Sequence, residues 1–235
     1  MRLRILLLPA VAAVALLAGC TQLPLGGPGS TPTPASNGVE AEDPDEILAR
    51  ATEATANAES VHVSGTIGEG VLGTTVELTF AGQNVTGTAN IFGVVATVTR
   101  VGSAVYLKAD TSLFAQFLPP DQQDSLSDLD GKWFKVDLAM VEAFMPISFS
   151  VADLALATAP LTKGDLTTVG GTPAITLTDA DGAVLHVATV GEPYLLDISL
   201  EGDRDLTFSR FGEEVTIEAP PADEVVDLLA ELGLG

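Results

Sequence analysis

The sequence predicts an α+β fold: a large curved antiparallel sheet, or half-barrel, with helices covering its concave face. Three observations predict it. Apolar and polar residues alternate with a period of two in two long runs, from Ser60 to Ala109 and from Leu166 to Glu218. Short turns rich in glycine separate the alternating segments, and sequential strands joined this way pair antiparallel. Between the runs lies a stretch of different character, where helical stripes and prolines accompany four bulky aromatics, Phe114, Phe117, Trp133 and Phe144. A sheet of about eleven strands must cover one apolar face, and the helices of this middle section are the elements available to cap it.

Residues 1–19 read as a lipoprotein signal peptide. Arg2 and Arg4 form a basic n-region, and Ile5 to Ala18 form an apolar stretch broken only by Pro9. That stretch ends at Gly19, short of the ~20 residues that cross a bilayer core. Leu17-Ala18-Gly19-Cys20 then supplies an apolar residue, two small residues that fit a peptidase groove, and a thiol that can carry a diacylglyceryl group. Cys20 is the only cysteine, so it is the expected lipidation site and no intramolecular disulfide can form. The expected location is the extracytoplasmic face of the cell membrane, held by this lipid anchor.

Residues 20–43 read as a tether. Pro24, Pro28, Pro32 and Pro34, with glycines and Ser/Thr spacers, bury too little apolar surface to order themselves. Residues 44–235 have the size of a single domain. Asp43-Pro44-Asp45-Glu46 opens it as a helix start, an acid before an N1 proline with Glu at N3, and Ile47, Leu48, Ala51, Ala54 and Ala58 follow on one face. Strands follow: Val61, Val63, Gly65 and Ile67; then Val76, Leu78 and Phe80; then Val85, Gly87, Ala89 and Ile91; then 94–100 and 104–109. In the middle section Leu113, Phe114, Phe117 and Leu118 make a helical stripe stopped by Pro119-Pro120, and 121–128 make a polar helical turn. Lys132 to Val136 return to a strand, and two helices follow, one carrying Leu138, Val141, Phe144 and Met145, the other opening at Ser150. The second meander takes in 166–169, 174–178, 183–190, 194–200, 206–209 and 214–218. Pro220-Pro221 then precede a closing amphipathic helix with Val225, Leu228, Leu229 and Leu232.

The formal charge is −22, and removal of Arg2 and Arg4 leaves eight basic residues against 32 acidic ones, a net −24. Such a surface repels phosphate-rich partners and excludes nucleic acid as a ligand. Catalytic signals are missing. Only His62 and His186 are of the residue type that can act as a neutral-pH base, both in strands away from the apolar set or at its edge, and no nucleophile elbow or His-Glu-x-x-His motif occurs. Asp179-Ala180-Asp181-Gly182 begins like a calcium loop, but its twelfth position is Val190, so it reads as a hairpin turn. The acids at 121, 124, 128 and 130 read as a solvated face. The expectation is a non-enzyme with no catalytic residue, no metal site and no cofactor. Periodicity alone leaves open whether Trp133 and the phenylalanines fill a core or line a cavity.

The order of elements carries a resemblance. A lipobox, a Pro/Gly tether, an N-terminal helix, an antiparallel run ending in Val105-Tyr106-Leu107, a helical insert, Gly131-Lys132-Trp133-Phe134-Lys135-Val136-Asp137 and a second antiparallel run follow one another. With Gly191-Glu192-Pro193-Tyr194-Leu195 and the ending from Phe208 to Pro221, this resembles the LppX/LprAFG family of actinobacterial lipoproteins over roughly Asp45 to Pro221. The resemblance implies a half-barrel like that of the LolA and LolB carriers, with an apolar cavity for acyl chains of envelope lipids or glycolipids. It also implies a place for an envelope transport partner. Val76, Leu78, Phe80, Phe114, Phe117, Trp133 and Phe144 are the candidate lining residues. The acidic excess and the C-terminal helix depart from the family pattern.

Overall fold

β-branched and apolar residues at every second position make this chain pair, among the described residues, into one sheet of twelve strands that does not close on itself. The computed structural model describes residues 35–68, 73–115, 120–123, 130–137, 160–200 and 204–227. The strands are β1 (Val61–Ile67), β2 (Thr74–Ala81), β3 (Asn84–Ile91), β4 (Val94–Val101), β5 (Ala104–Lys108), β6 (Trp133–Asp137), β7 (Thr162–Val169), β8 (Thr172–Thr178), β9 (Val184–Ala188), β10 (Leu195–Leu200), β11 (Arg204–Ser209) and β12 (Val225–Asp227). Their order is β12-β6-β5-β4-β3-β2-β1-β11-β10-β9-β8-β7. Each hairpin run therefore stays contiguous, and the two runs meet where β1 pairs antiparallel with β11, Val63 opposite Phe208 and Ile67 opposite Arg204.

Helix α1 (Pro44–Ala56) starts with Pro44 at its first turn and Asp43 at the N-cap position, as the sequence predicts. It buries Ile47, Ala51 and Thr55 against β9 and β10. The buried face runs through Thr55, with the expected Ala54 and Ala58 only partly buried beside it. The Thr55 Oγ1 accepts a hydrogen bond from the Leu195 amide at 2.9 Å, satisfying a buried N–H at a bulge in β10. Two short helices follow β5, α2 (Thr111–Ala115) and α3 (Pro120–Gln123). Asp110 begins α2 by accepting the Ser112 amide at 2.9 Å. Hydrogen bonds from the Ser112 side chain and then its backbone N–H hold the Asp110 carboxyl below its ordinary pKa.

Three expectations need correction. The closing helix is not present at its start: after a single 3₁₀ turn at Ala222–Glu224, Val225–Asp227 is extended and pairs parallel with β6, Val225 opposite Trp133. β6 would otherwise expose a row of unpaired amides and carbonyls, and Val225-Val226 is a β-branched pair suited to cover it. Leu228, Leu229 and Leu232 lie outside the described residues. The segment 214–218 forms no strand, because both sides of β11 are already taken by β1 and β10. It leaves instead over the start of β1, where the Gly212 amide reaches the Ser60 carbonyl at 3.0 Å and the Ser60 hydroxyl donates to the Glu213 carbonyl at 2.6 Å.

Residues 36–43, placed with the tether on composition, are packed against the sheet. Val39 is fully buried, the Asn37 side-chain amide donates to the carbonyls of Ala188 and Gly191, both at 3.0 Å, and Lys163 Nζ donates to the carbonyls of Glu40 and Glu42. The unit that holds the sheet accordingly begins at Pro34. Ser36 donates to Glu40 at 2.5 Å, which lowers the Glu40 carboxyl pKa. The predicted helices within 138–159 lie outside the described residues.

Candidate functional site

The period of two sorts the strands into two faces. One is a continuous apolar field. Reading directly across the register, Phe208, Val63, Leu78, Gly87, Val98, Leu107 and Phe134 stand side by side on seven neighbouring strands. On the next row Leu206, Gly65, Val76, Ala89 and Ala96 do the same, and Ile198, Leu185 and Leu177 extend that row toward β8. Both helices with described apolar side chains pack onto this face: Ile47 and Ala51 of α1, and Leu113 and Phe114 of α2, belong to the same buried cluster as the strand residues. The Phe114 ring lies 4.2 Å from that of Phe134, tilted by 44°.

Val76, Leu78 and Phe80 share this face as the sequence predicts and are 0%, 1% and 3% exposed. Phe114 is buried over it from α2. Phe117 and Phe144 lie outside the described residues. Trp133 is on the other side of the sheet: Phe134 and Val136 are buried on the apolar face, so strand alternation turns Trp133 and Lys135 away from it. There Trp133 is half-buried under Lys108, whose Nζ sits 5.7 Å from the ring centroid, a cation–π geometry. The aromatic that belongs to the face is Phe134. The alternation of Lys132 to Val136 already separates these two rings.

Two glycines set the shape of the field. Gly65 and Gly87 have φ of 143° and 153°, and a Cβ on either would meet a neighbouring backbone carbonyl oxygen, that of Asp205 at 1.9 Å or Glu77 at 2.0 Å. Glycine permits that approach, and strand glycines of this kind bend a sheet.

The opposite face carries polar cross-strand pairs beside a small apolar cluster of Ala174, Ala188 and Leu196. His186 Nδ1 and Asp197 Oδ1 are 2.6 Å apart on directly opposed residues, and His62 lies between Thr79 and Glu77 at 3.2 Å from each. Both histidines thus sit in cross-strand polar pairs away from the apolar field. The Asp179 carboxylate is occupied by the amides of Asp181 and Ala183 at 2.9 and 2.8 Å, which makes 179–183 the hairpin turn expected. A groove of about 560 Å³ beside α1 is lined by Arg50, Glu53, Asn57, Glu59, Glu192 and Tyr194 among others. Its carboxylates make it unlike the apolar field. Among the described residues no helix is long and apolar enough to cross a membrane.

No protein-family model and no curated protein matches the chain. Among solved structures it is similar to LprF from Mycobacterium bovis, with a TM-score of 0.51 at 15% identity, over 80% of this chain and 99% of that one. The chain has an LprF-like fold. Because nearly all of LprF is matched, the likeness extends beyond a single hairpin run. MucB also matches, with a TM-score of 0.35 at 18% identity, over 76% of this chain and 60% of that one. The LprF-like architecture is the α+β half-barrel that the element order implies.

Proposed function

We propose that the chain is an envelope lipoprotein, anchored through Cys20, that binds acyl chains of a lipid or glycolipid against the apolar face of its half-barrel. The observation that carries this is the continuity of that face: seven strands present apolar side chains or glycine in one row, under helices rather than a second sheet. Affinity would come from apolar area at about 25 cal/mol per Å², before association costs. The site needs no catalytic residue, metal or cofactor. A transport partner would supply or receive the lipid.

A second reading has its own support. Val76 and Leu78 are almost fully buried, as in a filled core, which suits a structural or partner-binding lipoprotein. Organic extraction and mass spectrometry of the purified protein separate the two. A stoichiometric acyl lipid supports the carrier reading, and a lipid-free protein supports the filled core. The anchor is tested separately: Cys20→Ala should abolish incorporation of radiolabelled fatty acid, and incorporation at the wild-type level would refute the anchor.

A further inference from the structure

The apolar field ends differently at its two sides. Toward β12 the row through Leu78 and Phe134 finishes at Val226, which stands opposite Phe134, is partly buried and packs against the core cluster. Toward β7 a row runs from Leu195 through Val187 and Ile175 to Leu166, each directly opposite the next. The first three are 0%, 0% and 3% exposed, and Leu166 is 64% exposed. A lone exposed leucine on a protein surface needs no explanation. Leu166 is not alone in that sense, because it carries a buried row out to solvent.

The chain around Leu166 says what can meet it there. β7 is the terminal strand of the sheet, and every residue from Thr162 to Thr168 is exposed. On one side Lys163, opposite the buried Leu177, donates Nζ to the carbonyls of Glu40 and Glu42 at 3.0 and 2.8 Å, which fixes that segment beside the strand. On the other side the Gly170-Gly171 turn ends the hairpin. Between them Leu166 and Thr168 share the apolar face, opposite Ile175 and Pro173. Side chains two residues apart on a strand stand about 7 Å apart, room for one hydrocarbon chain to lie across. From Leu166 to Thr178 the sequence has no Asp, Glu, Lys, Arg or His, in a chain of net charge −22. Hydrocarbon passing over this stretch therefore strips water from no charged side chain of it. A protein strand is the poorer fit. The register shift between Lys163 and Leu166, with Asp165 inside it, blunts the first half of β7 against pairing. The four residues left, Leu166 to Val169, fall far short of the about 800 Å² per partner that a protein interface needs.

We infer that the β7 edge is the portal through which an acyl chain enters and leaves the apolar face, sliding over Leu166 between the segment held by Lys163 and the Gly170-Gly171 turn. The inference rests on the proposed lipid-binding function and adds where that site opens.

The test follows uptake by the full lipidated chain of phosphatidylcholine bearing one pyrene-labelled acyl chain. Supplied in vesicles, this lipid shows excimer emission that gives way to monomer emission as single molecules leave for the protein. Leu166→Asp should slow uptake and release roughly tenfold, because the chain must then pass a carboxylate that resists desolvation. The amount bound at equilibrium and the melting temperature should stay at wild-type values, since the residue is exposed in the folded protein. Leu166→Met keeps an apolar side chain and should exchange at the wild-type rate. Val95→Asp controls for charge alone: Val95 is 61% exposed and lies on the other side of the sheet, opposite Asn90, so its variant should also exchange like wild type. A Leu166→Asp protein that exchanges at the wild-type rate, or a Val95→Asp protein slowed as much, overturns the portal and leaves the carrier reading standing. A wild type that takes up no lipid overturns the carrier reading and the portal with it.

Discussion

Gly87→Ala is expected to lower the melting temperature by roughly 6–12 °C, from a destabilisation of about 3 kcal/mol in a domain of this size. The new Cβ would lie 2.0 Å from the Glu77 carbonyl oxygen and 2.9 Å from the Leu78 Cα, both backbone atoms of the paired strand. No rotamer change relieves such an overlap. Either the β2–β3 ladder opens at the Leu78–Gly87 pair or the strand leaves its positive φ and the sheet loses curvature. Gly65→Ala should behave alike, its Cβ meeting the Asp205 carbonyl at 1.9 Å. Gly82→Ala is the control: its φ is also positive, 58°, but nothing lies within 4 Å of the added methyl. It should cost only the left-handed penalty, about 1 kcal/mol. Thermal melts of the three variants against wild type decide the matter. If Gly87→Ala melts no lower than Gly82→Ala, the close approach does not exist in solution.

The same two glycines mark the limit of what was legible in the chain. Period-two alternation located β1 to β5 and β8 to β11, because one buried face forces it, and Asp43-Pro44 located the start of α1 because local chemistry alone decides a helix entry. Val76, Leu78 and Phe80 were readable as one face for the same reason. What depended on distant neighbours was not readable. A glycine in a strand does not reveal which carbonyl approaches it, and no local pattern announces that β1 joins β11 across the whole of the intervening chain. Val225-Val226 looked like the start of a helix because leucines follow at helical spacing, whereas the open edge of β6 decided its fate. Val39 looked like tether because its neighbours are Gly, Asn and Ser, and it is buried because Asn37 fixes the chain to the carbonyls of Ala188 and Gly191. Trp133 has the bulk of a core residue, yet alternation with the buried Phe134 and Val136 turns it to the other side of the sheet.

Leu78→Trp should distinguish a filled concave face from a lipid-holding one. Leu78 is the middle of the row that runs from Phe208 to Phe134, is 1% exposed, and stands between Val63 and the side-chain-free Gly87. In a filled core the larger indole forces neighbours off their rotamers, at about 1–3 kcal/mol. The melting temperature then falls by roughly 2–12 °C for a domain of this size, whether or not the sample has been extracted with solvent. If acyl chains lie over the face, the indole takes space that hydrocarbon would occupy. The extracted variant should melt with extracted wild type, and the amount of lipid per mole of unextracted protein should drop. Wild type should also lose stability on extraction, since a ligand bound only to the folded state raises its melting temperature, while the variant should lose little. Leu78→Met, which nearly conserves volume, should leave both quantities near wild type. Lipid per mole and melts before and after extraction, on these three proteins from one actinobacterial host, give opposite results under the two readings. A wild type without lipid beside a Leu78→Trp protein that melts well below it would leave the carrier reading unsupported.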